Sequence, residues 1–209
     1  GLSVTSADIM RLGVGGLLAH GAELPHHDLF LIEAVAALAL EFTILTAARS
    51  GEVIGATWAE VDSDKAIWTI PADRMKAAKE HRVPLSPRAV AILVSLQPLG
   101  SEYLFPGAKG GKLSGMAMGM LMRRMKVDAT VHGFRSAFRD WVAECTGYAH
   151  EVAEMALAHT IENKVERAYR RGDLFEKRRR LMDDWATYCA SDGTVGANVT
   201  PIRTADGLA

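Results

Sequence analysis

The distribution of apolar and polar positions changes character along the chain. Residues 28–48, "DLFLIEAVAALALEFTILTAA", are apolar almost throughout and show no strand-like alternation. Such a run predicts a helix buried on all sides. Glu33 and Glu41 interrupt it, so no charge-free stretch approaches the roughly 20 residues that a membrane span requires. Ahead of it, "TSADIMRLGVGGLLAHG" opens on capping-type residues and predicts a shorter first helix. Behind it come the β-rich runs "TWAEVD", "AIWTIP" and "HRVPL", the first two separated by the turn-forming "SDK". They predict a small three-stranded antiparallel sheet, with 71–80, "PADRMKAAKE", leading into its last strand.

Helical patterns then run to the end. Ser86 is placed as an N-cap with Pro87 at the first helical position. Ser114 opens "GMAMGMLMRRMK", whose methionines at 116, 118, 120, 122 and 125 read as adaptable core packing rather than a metal or cofactor site. Thr130 opens "VHGFRSAFRDWVAECTG", which Gly147 is placed to close as a C-terminal cap. Two further helices are expected over 150–157 and 162–189. The closing "ASDGTVGANVTPIRTADGLA" is small, polar and Gly-rich, so 191–209 is expected to be a flexible tail. The reading is an α+β fold, mostly α-helical, with one small sheet inserted early and a single domain over 1–190.

Composition adds compartment and partner. A chain of 209 residues can bury the core of one domain. Its two cysteines, Cys145 and Cys189, have no metal-like spacing, and no secretory leader is legible, so a reduced cytoplasmic setting is expected. The net charge of −1 argues weakly against a nucleic-acid binder, but the average conceals an asymmetry. Residues 164–180 hold eight Lys/Arg against Glu166, Asp173 and Glu176, and residues 123–139 hold five against Asp128 alone. Local basic faces form the footprint for a polyanion, although a solvated helix surface accounts for them equally well.

Several residues are chemically suggestive. Arg49 ends the apolar helix beside Ser50 and Gly51, where it either presents a planar fork to a phosphate or pairs structurally with Glu52. His132 and Arg135 are three apart, hence on one face of the first turn of a helix. Lys76 and Lys79 lie in the connection before a strand, where a lysine can protonate an alkoxide leaving group or simply keep a loop soluble. His159 and Tyr169 follow, the tyrosine among arginines whose charge favours its phenolate. Singly, each of these signals is weak.

Their order is specific. Arg, then a hairpin Lys, then His-x-x-Arg, then His, then Tyr, within "LTAARSGEVIGATWAEVD", "WTIPADRMKAAKEHRVPLS", "YLFPG", "HGFRSAFRDWVAE" and "ALAHTIENKVERAYRRGDLFEKRRRLMDDWATY", resembles the catalytic domain of the tyrosine recombinases, or phage integrases. The wording is most similar to the prophage and integrative-island branch, and the resemblance covers about residues 40–189. It implies a tyrosine-recombinase catalytic fold and a site-specific recombinase that integrates or excises a mobile element through a 3′-phosphotyrosyl intermediate. By the same resemblance Tyr169 is the nucleophile, Arg49 and Arg135 clamp the scissile phosphate, and His132 takes or relays the nucleophile's proton. His159 hydrogen-bonds the phosphate, and Lys76, preferred over Lys79, protonates the leaving 5′-oxygen. No metal, ATP or other cofactor is expected.

The implied partner is double-stranded DNA at attachment sites, bound by a homotetramer, with the isolated chain a monomer and accessory DNA-bending proteins as further partners. Relatives usually carry an N-terminal DNA-binding module, which is expected to be absent from this chain. Ala47 and Ala158 stand where many relatives have Gly. The C-terminal helix, 174–189, either packs on a neighbouring subunit or folds back on its own domain. Two alternatives to recombination are type IB topoisomerase-like strand relaxation and a non-catalytic DNA-binding relative.

Overall fold

The structure, a computed structural model, describes residues 27–108, 110–159 and 172–191, with side chains from 32 onward. The predicted first helix, Tyr169 and the tail beyond 191 lie outside the described residues.

Helix α1 (His27–Thr46) forms the axis of the core. Every residue from Val35 to Ala48 is buried, as expected of a helix apolar on all faces. Its buried polar groups are all satisfied. The hydroxyls of Thr43 and Thr46 donate to the carbonyls of Ala39 (2.7 Å) and Phe42 (2.6 Å), four residues back. Glu41 takes both forks of Arg88, at 2.5 and 2.8 Å, from helix α3 (Pro87–Leu96). Ser86 caps α3 through the Ala89 N–H at 3.4 Å, with Pro87 opening the helix as expected.

Three antiparallel strands, β1 (Val61–Asp62), β2 (Ile67–Ile70) and β3 (His81–Pro84), lie in the order β1-β2-β3. Trp68 sits opposite both Val61 and Val83 and presses its ring against Phe42 of α1 at 5.5 Å. The first predicted strand is mostly not a strand. Trp58–Glu60 form a single 3-10 turn, which delivers the Glu60 carboxylate to the Trp68 indole N–H (2.8 Å) and to the Arg74 guanidinium. Pro84 is tolerated because β3 is an edge strand.

Helix α4 (Ala117–Arg124) begins three residues after Ser114, whose hydroxyl instead accepts the Met116 N–H at 3.3 Å. Helical periodicity buries Met118 and Met122 but leaves Met116 and Met120 exposed, so those two are not core residues. Helix α5 (Gly133–Cys145) is preceded by a turn that Thr130 closes, its hydroxyl accepting the Gly133 N–H at 3.0 Å. Gly147 does not cap α5. The chain leaves at Thr146 in an extended conformation, and the Thr146 hydroxyl satisfies the Val142 carbonyl at 2.7 Å.

Helix α6 (His150–Ala156) follows, and the last described helix, α7, spans Phe175–Ala190. The helix predicted over 162–189 is not continuous, because Gly172–Leu174 are non-helical and Leu174 has φ of 53°. Helix α7 folds back onto its own domain. Leu181, Met182, Trp185 and Cys189 are buried, and the Trp185 indole N–H reaches the Ile44 carbonyl at 2.8 Å. Trp185 also stacks among Phe138, Trp141 and Tyr188. No helix among the described residues is long and apolar enough to cross a membrane.

Candidate active site

The end of α1 builds the first wall. Ala47 takes φ of 48° and turns the chain, which places Arg49 ahead of helix α2 (Ser50–Ile54) in an extended conformation. Arg49 is gripped by one carboxylate twice: its N–H donates to Glu52 at 2.8 Å and its Nη1 at 2.7 Å. Glu52 is only 6% exposed, so the pair is a structural Arg–Glu contact and also holds the guanidinium at the surface of a cleft.

Arg135, on α5, is 5% exposed. Burial of a guanidinium requires acceptors, and two helix ends supply them. Nη1 donates to the Ala47 carbonyl at the end of α1, and Nη2 to the Leu157 carbonyl at the end of α6, at 2.6 Å. Each of these helices closes on an alanine with positive φ, Ala47 at 48° and Ala158 at 50°. These are the two positions at which the resemblance leads one to expect glycine, and the left-handed backbone explains why glycine suits them. Burial, and then the charge of Arg49, lower the Arg135 pKa to about 10, against the pull of Glu52 and Glu154, so it stays charged at neutral pH.

His159 follows Ala158. Its Nε2 lies 3.3 Å from Arg135 Nη2, and its Nδ1 lies 2.7 Å from Glu154 Oε2. Its backbone N–H also returns to the Glu154 carbonyl at 2.9 Å. His132 stands immediately before α5, one turn from Arg135.

These groups meet. Arg49, Lys76, Ala77, His132, Arg135, Ala158 and His159 line one cleft of about 430 Å3. Of the two lysines in the loop before β3, Lys76 lines it and Lys79 does not. Five of the six candidate residues thus share a cleft, and the sixth, Tyr169, lies outside the described residues. The assembly concentrates fixed positive charge and hydrogen-bond donors around a space suited to a phosphate group. Sequence reasoning missed Glu154, because a carboxylate five residues before a histidine is no motif. It also read Arg178 as part of a surface basic run, either a polyanion footprint or a solvated helix face, whereas that side chain is 2% exposed.

Residues 26–174 match the Phage integrase family. The chain belongs to that family. It is 38% identical over 149 residues to the prophage integrase IntA of Escherichia coli strain K12, covering 68% of this chain and 36% of IntA. It is 33% identical over 172 residues to the integrase of Enterobacteria phage P4, covering 72% of this chain and 39% of that protein. This phage-integrase chain therefore spans well under half the length of these relatives. Its fold is that of the integrase from mycobacterium phage Brujita, with a TM-score of 0.59 at 18% identity, over 88% of this chain and 57% of that one. The family match contains all six candidate residues and stops one residue short of α7.

Proposed function

We propose that this phage-integrase chain is the catalytic domain, residues 1–190, of a site-specific tyrosine recombinase that integrates or excises a mobile element. The observation carrying the proposal is the convergence of Arg49, Lys76, His132, Arg135 and His159, from four separate stretches of chain, on one cleft. A scissile DNA phosphate bound there receives hydrogen bonds on its nonbridging oxygens from Arg49 and Arg135, with His159 as a further donor. Guanidinium groups suit this role because they keep their charge and bind in two places at once.

In cleavage, the Tyr169 Oη attacks phosphorus while its proton passes to or through His132. The bond from phosphorus to the 5′-oxygen breaks, and Lys76 gives that oxygen a proton. The product is a 3′-phosphotyrosine and a free 5′-hydroxyl. A 5′-hydroxyl from a partner strand reverses these steps and reseals the joint, so the energy of the phosphodiester is kept and no nucleotide cofactor enters. The extra negative charge of the transition state falls among Arg49, Arg135 and His159, the groups that gain most as that charge develops. The working assembly is a homotetramer on double-stranded DNA, in a cytoplasmic setting, with DNA-bending accessory proteins. Contacts to the DNA on the far side of the duplex are supplied from outside this domain, so its own affinity is weak and falls steeply with salt.

The test is covalent capture. The chain is incubated with a pool of nicked suicide duplexes of randomised core sequence, and adducts are separated on a denaturing gel. The expected adduct maps to Tyr169 by mass spectrometry, forms in chelator, and is lost in Tyr169→Phe. An undiminished adduct from Tyr169→Phe would sink the proposal.

A further inference from the structure

We infer that Glu154, set behind the cleft, is a positioning residue: it keeps a proton on His159 Nδ1 and turns His159 Nε2 toward the cleft. The inference rests on the cleft being a phosphate site, and it names the residue that prepares one of its donors.

Both ring nitrogens of His159 have partners of known polarity. Glu154 Oε2, a carboxylate oxygen that can only accept, lies 2.7 Å from Nδ1, so Nδ1 carries the hydrogen. Arg135 Nη2, which can only donate, lies 3.3 Å from Nε2, so Nε2 offers its lone pair. The two contacts agree on one neutral tautomer, and the short Glu154 contact decides it, because 3.3 Å is long for a hydrogen bond from Arg135. In water an unconstrained neutral imidazole prefers the opposite one, with hydrogen on Nε2, so the protein has to impose this state.

Glu154 is built to impose it. Its own carbonyl accepts the His159 backbone N–H at 2.9 Å, so a single residue holds both the main chain and the ring of His159. Its other carboxylate oxygen makes charge pairs with Arg139 Nε at 3.0 Å and His150 Nε2 at 3.7 Å without a hydrogen bond from either. Glu154 is also better shielded than its partner, at 18% against 38% side-chain exposure.

The arrangement is one by which carboxylates orient histidines generally: one nitrogen is pinned so that the other faces the chemistry. When a phosphate oxygen takes the place of the Arg135 contact, Nε2 must donate rather than accept. In that donor form both ring nitrogens carry hydrogen, and Glu154 is the anion facing the ring. The other described charged or titratable groups near the ring are Arg49 with its partner Glu52, Arg135, His132 and Lys76 across the cleft, and Arg139 and His150 behind Glu154. Among the described residues Glu52 is committed to Arg49, and Glu154 is the carboxylate that faces His159.

Two-bond 1H–15N correlation spectra of the full chain test this without DNA, with the His159 signal assigned by its absence from His159→Gln. The expected wild-type signal is the neutral Nδ1–H form. Glu154→Gln keeps it, because the amide oxygen still accepts, whereas Glu154→Ala moves His159 to Nε2–H. In the suicide-duplex assay, Glu154→Ala forms adduct about tenfold to a hundredfold more slowly, with DNA binding unchanged, and Glu154→Gln recovers most of that loss. A wild-type Nε2–H signal overturns the inference, even if Glu154→Ala fails to fold. So does an Nδ1–H signal that persists in folded Glu154→Ala. If Tyr169→Phe still forms adducts, the recombinase reading fails while the tautomer result stands on its own.

Discussion

Arg135 fastens two helix ends and also forms the positive wall of the cleft, and mutation can separate the two roles. Its fork spans the carbonyls of Ala47 and Leu157, a reach that a lysine ammonium, a single point of charge, does not reproduce. Arg135→Lys is therefore expected to cut adduct formation by about 10²–10³-fold. Stability should also fall by about 2 kcal/mol, as one buried carbonyl loses its donor. Arg49→Ala should lose cleavage by a similar factor yet cost only about 1 kcal/mol, because the charge of Arg135 still faces Glu52. Denaturant melts beside adduct time courses check both, and an Arg135→Lys variant as stable and active as wild type would refute the double role. Ala158, at φ of 50°, supplies a related test. Ala158→Val puts a β-branched side chain in left-handed backbone and should cost about 1–2 kcal/mol by the same melts. The sequence marks 47 and 158 as unusual only through resemblance. The reason, two left-handed turns aiming carbonyls at one arginine, depends on residues 88 positions apart and is written in no local pattern.

At the scale of elements, the entry to α7 is held by a charged clasp. Arg178, 2% exposed, donates Nε to the Asp173 carbonyl (2.8 Å), Nη2 to the Asp173 carboxylate (2.9 Å) and Nη1 to the Arg82 carbonyl on β3 (2.6 Å). Arg82 closes the loop on the same carboxylate at 2.6 Å, and the guanidinium groups of Arg82, Arg178 and Arg179 all lie over the Phe175 ring. The clasp joins the strand that follows the Lys76 loop to the residues just after Tyr169. Burial pushes the Asp173 carboxyl upward, but the Arg82 hydrogen bond and the charges of Arg178 and Arg82 outweigh it and hold the group below its ordinary range. Asp173→Ala leaves a buried guanidinium without its counter-charge, so a loss of about 3 kcal/mol is expected in urea unfolding, and a loss below about 0.5 kcal/mol would refute the clasp. Of the helix expected over 162–189, the amphipathic stretch from Phe175 onward was legible. The break at Gly172–Leu174 was not, because it depends on Asp173 meeting Arg82, 91 residues away. The same holds for α4, where the run of methionines was visible but the face that turns inward was chosen by α1, through Thr43 against Met118.

For the molecule as a whole, the order Arg, Lys, His-x-x-Arg, His, Tyr was legible because resemblance preserves order. The convergence of the five from Arg49 to His159 was not, since it requires α1, the β2–β3 loop, α5 and α6 to end at one place. His81, at the start of β3, reports on that packing. Its imidazole sits where strand, α6 and α7 meet, and its pKa is lowered to about 4, first by burial and then by the charge of Arg178. Arg135 adds to this, while Glu52 and a backbone hydrogen bond at Ala156 oppose it. The folded state therefore takes up the proton less readily than the unfolded chain, whose histidine titrates near 6.5. As pH falls from 6.5 toward 4 the unfolded state binds the extra proton, and stability declines through that window. Above 6.5 both states are neutral and the effect vanishes. Between pH 7 and 5 the contribution is about 2 kcal/mol of lost stability, a window set apart from that of Asp173, whose carboxyl matters only at more acidic pH. His81→Asn keeps a hydrogen-bond donor near Ala156 and removes the titration. Chemical denaturation at pH 7 and pH 5 should show the variant losing about 2 kcal/mol less than wild type over that interval. Parallel losses in the two proteins would mean that His81 accepts its proton in the folded state, and that the junction of β3, α6 and α7 is open to water.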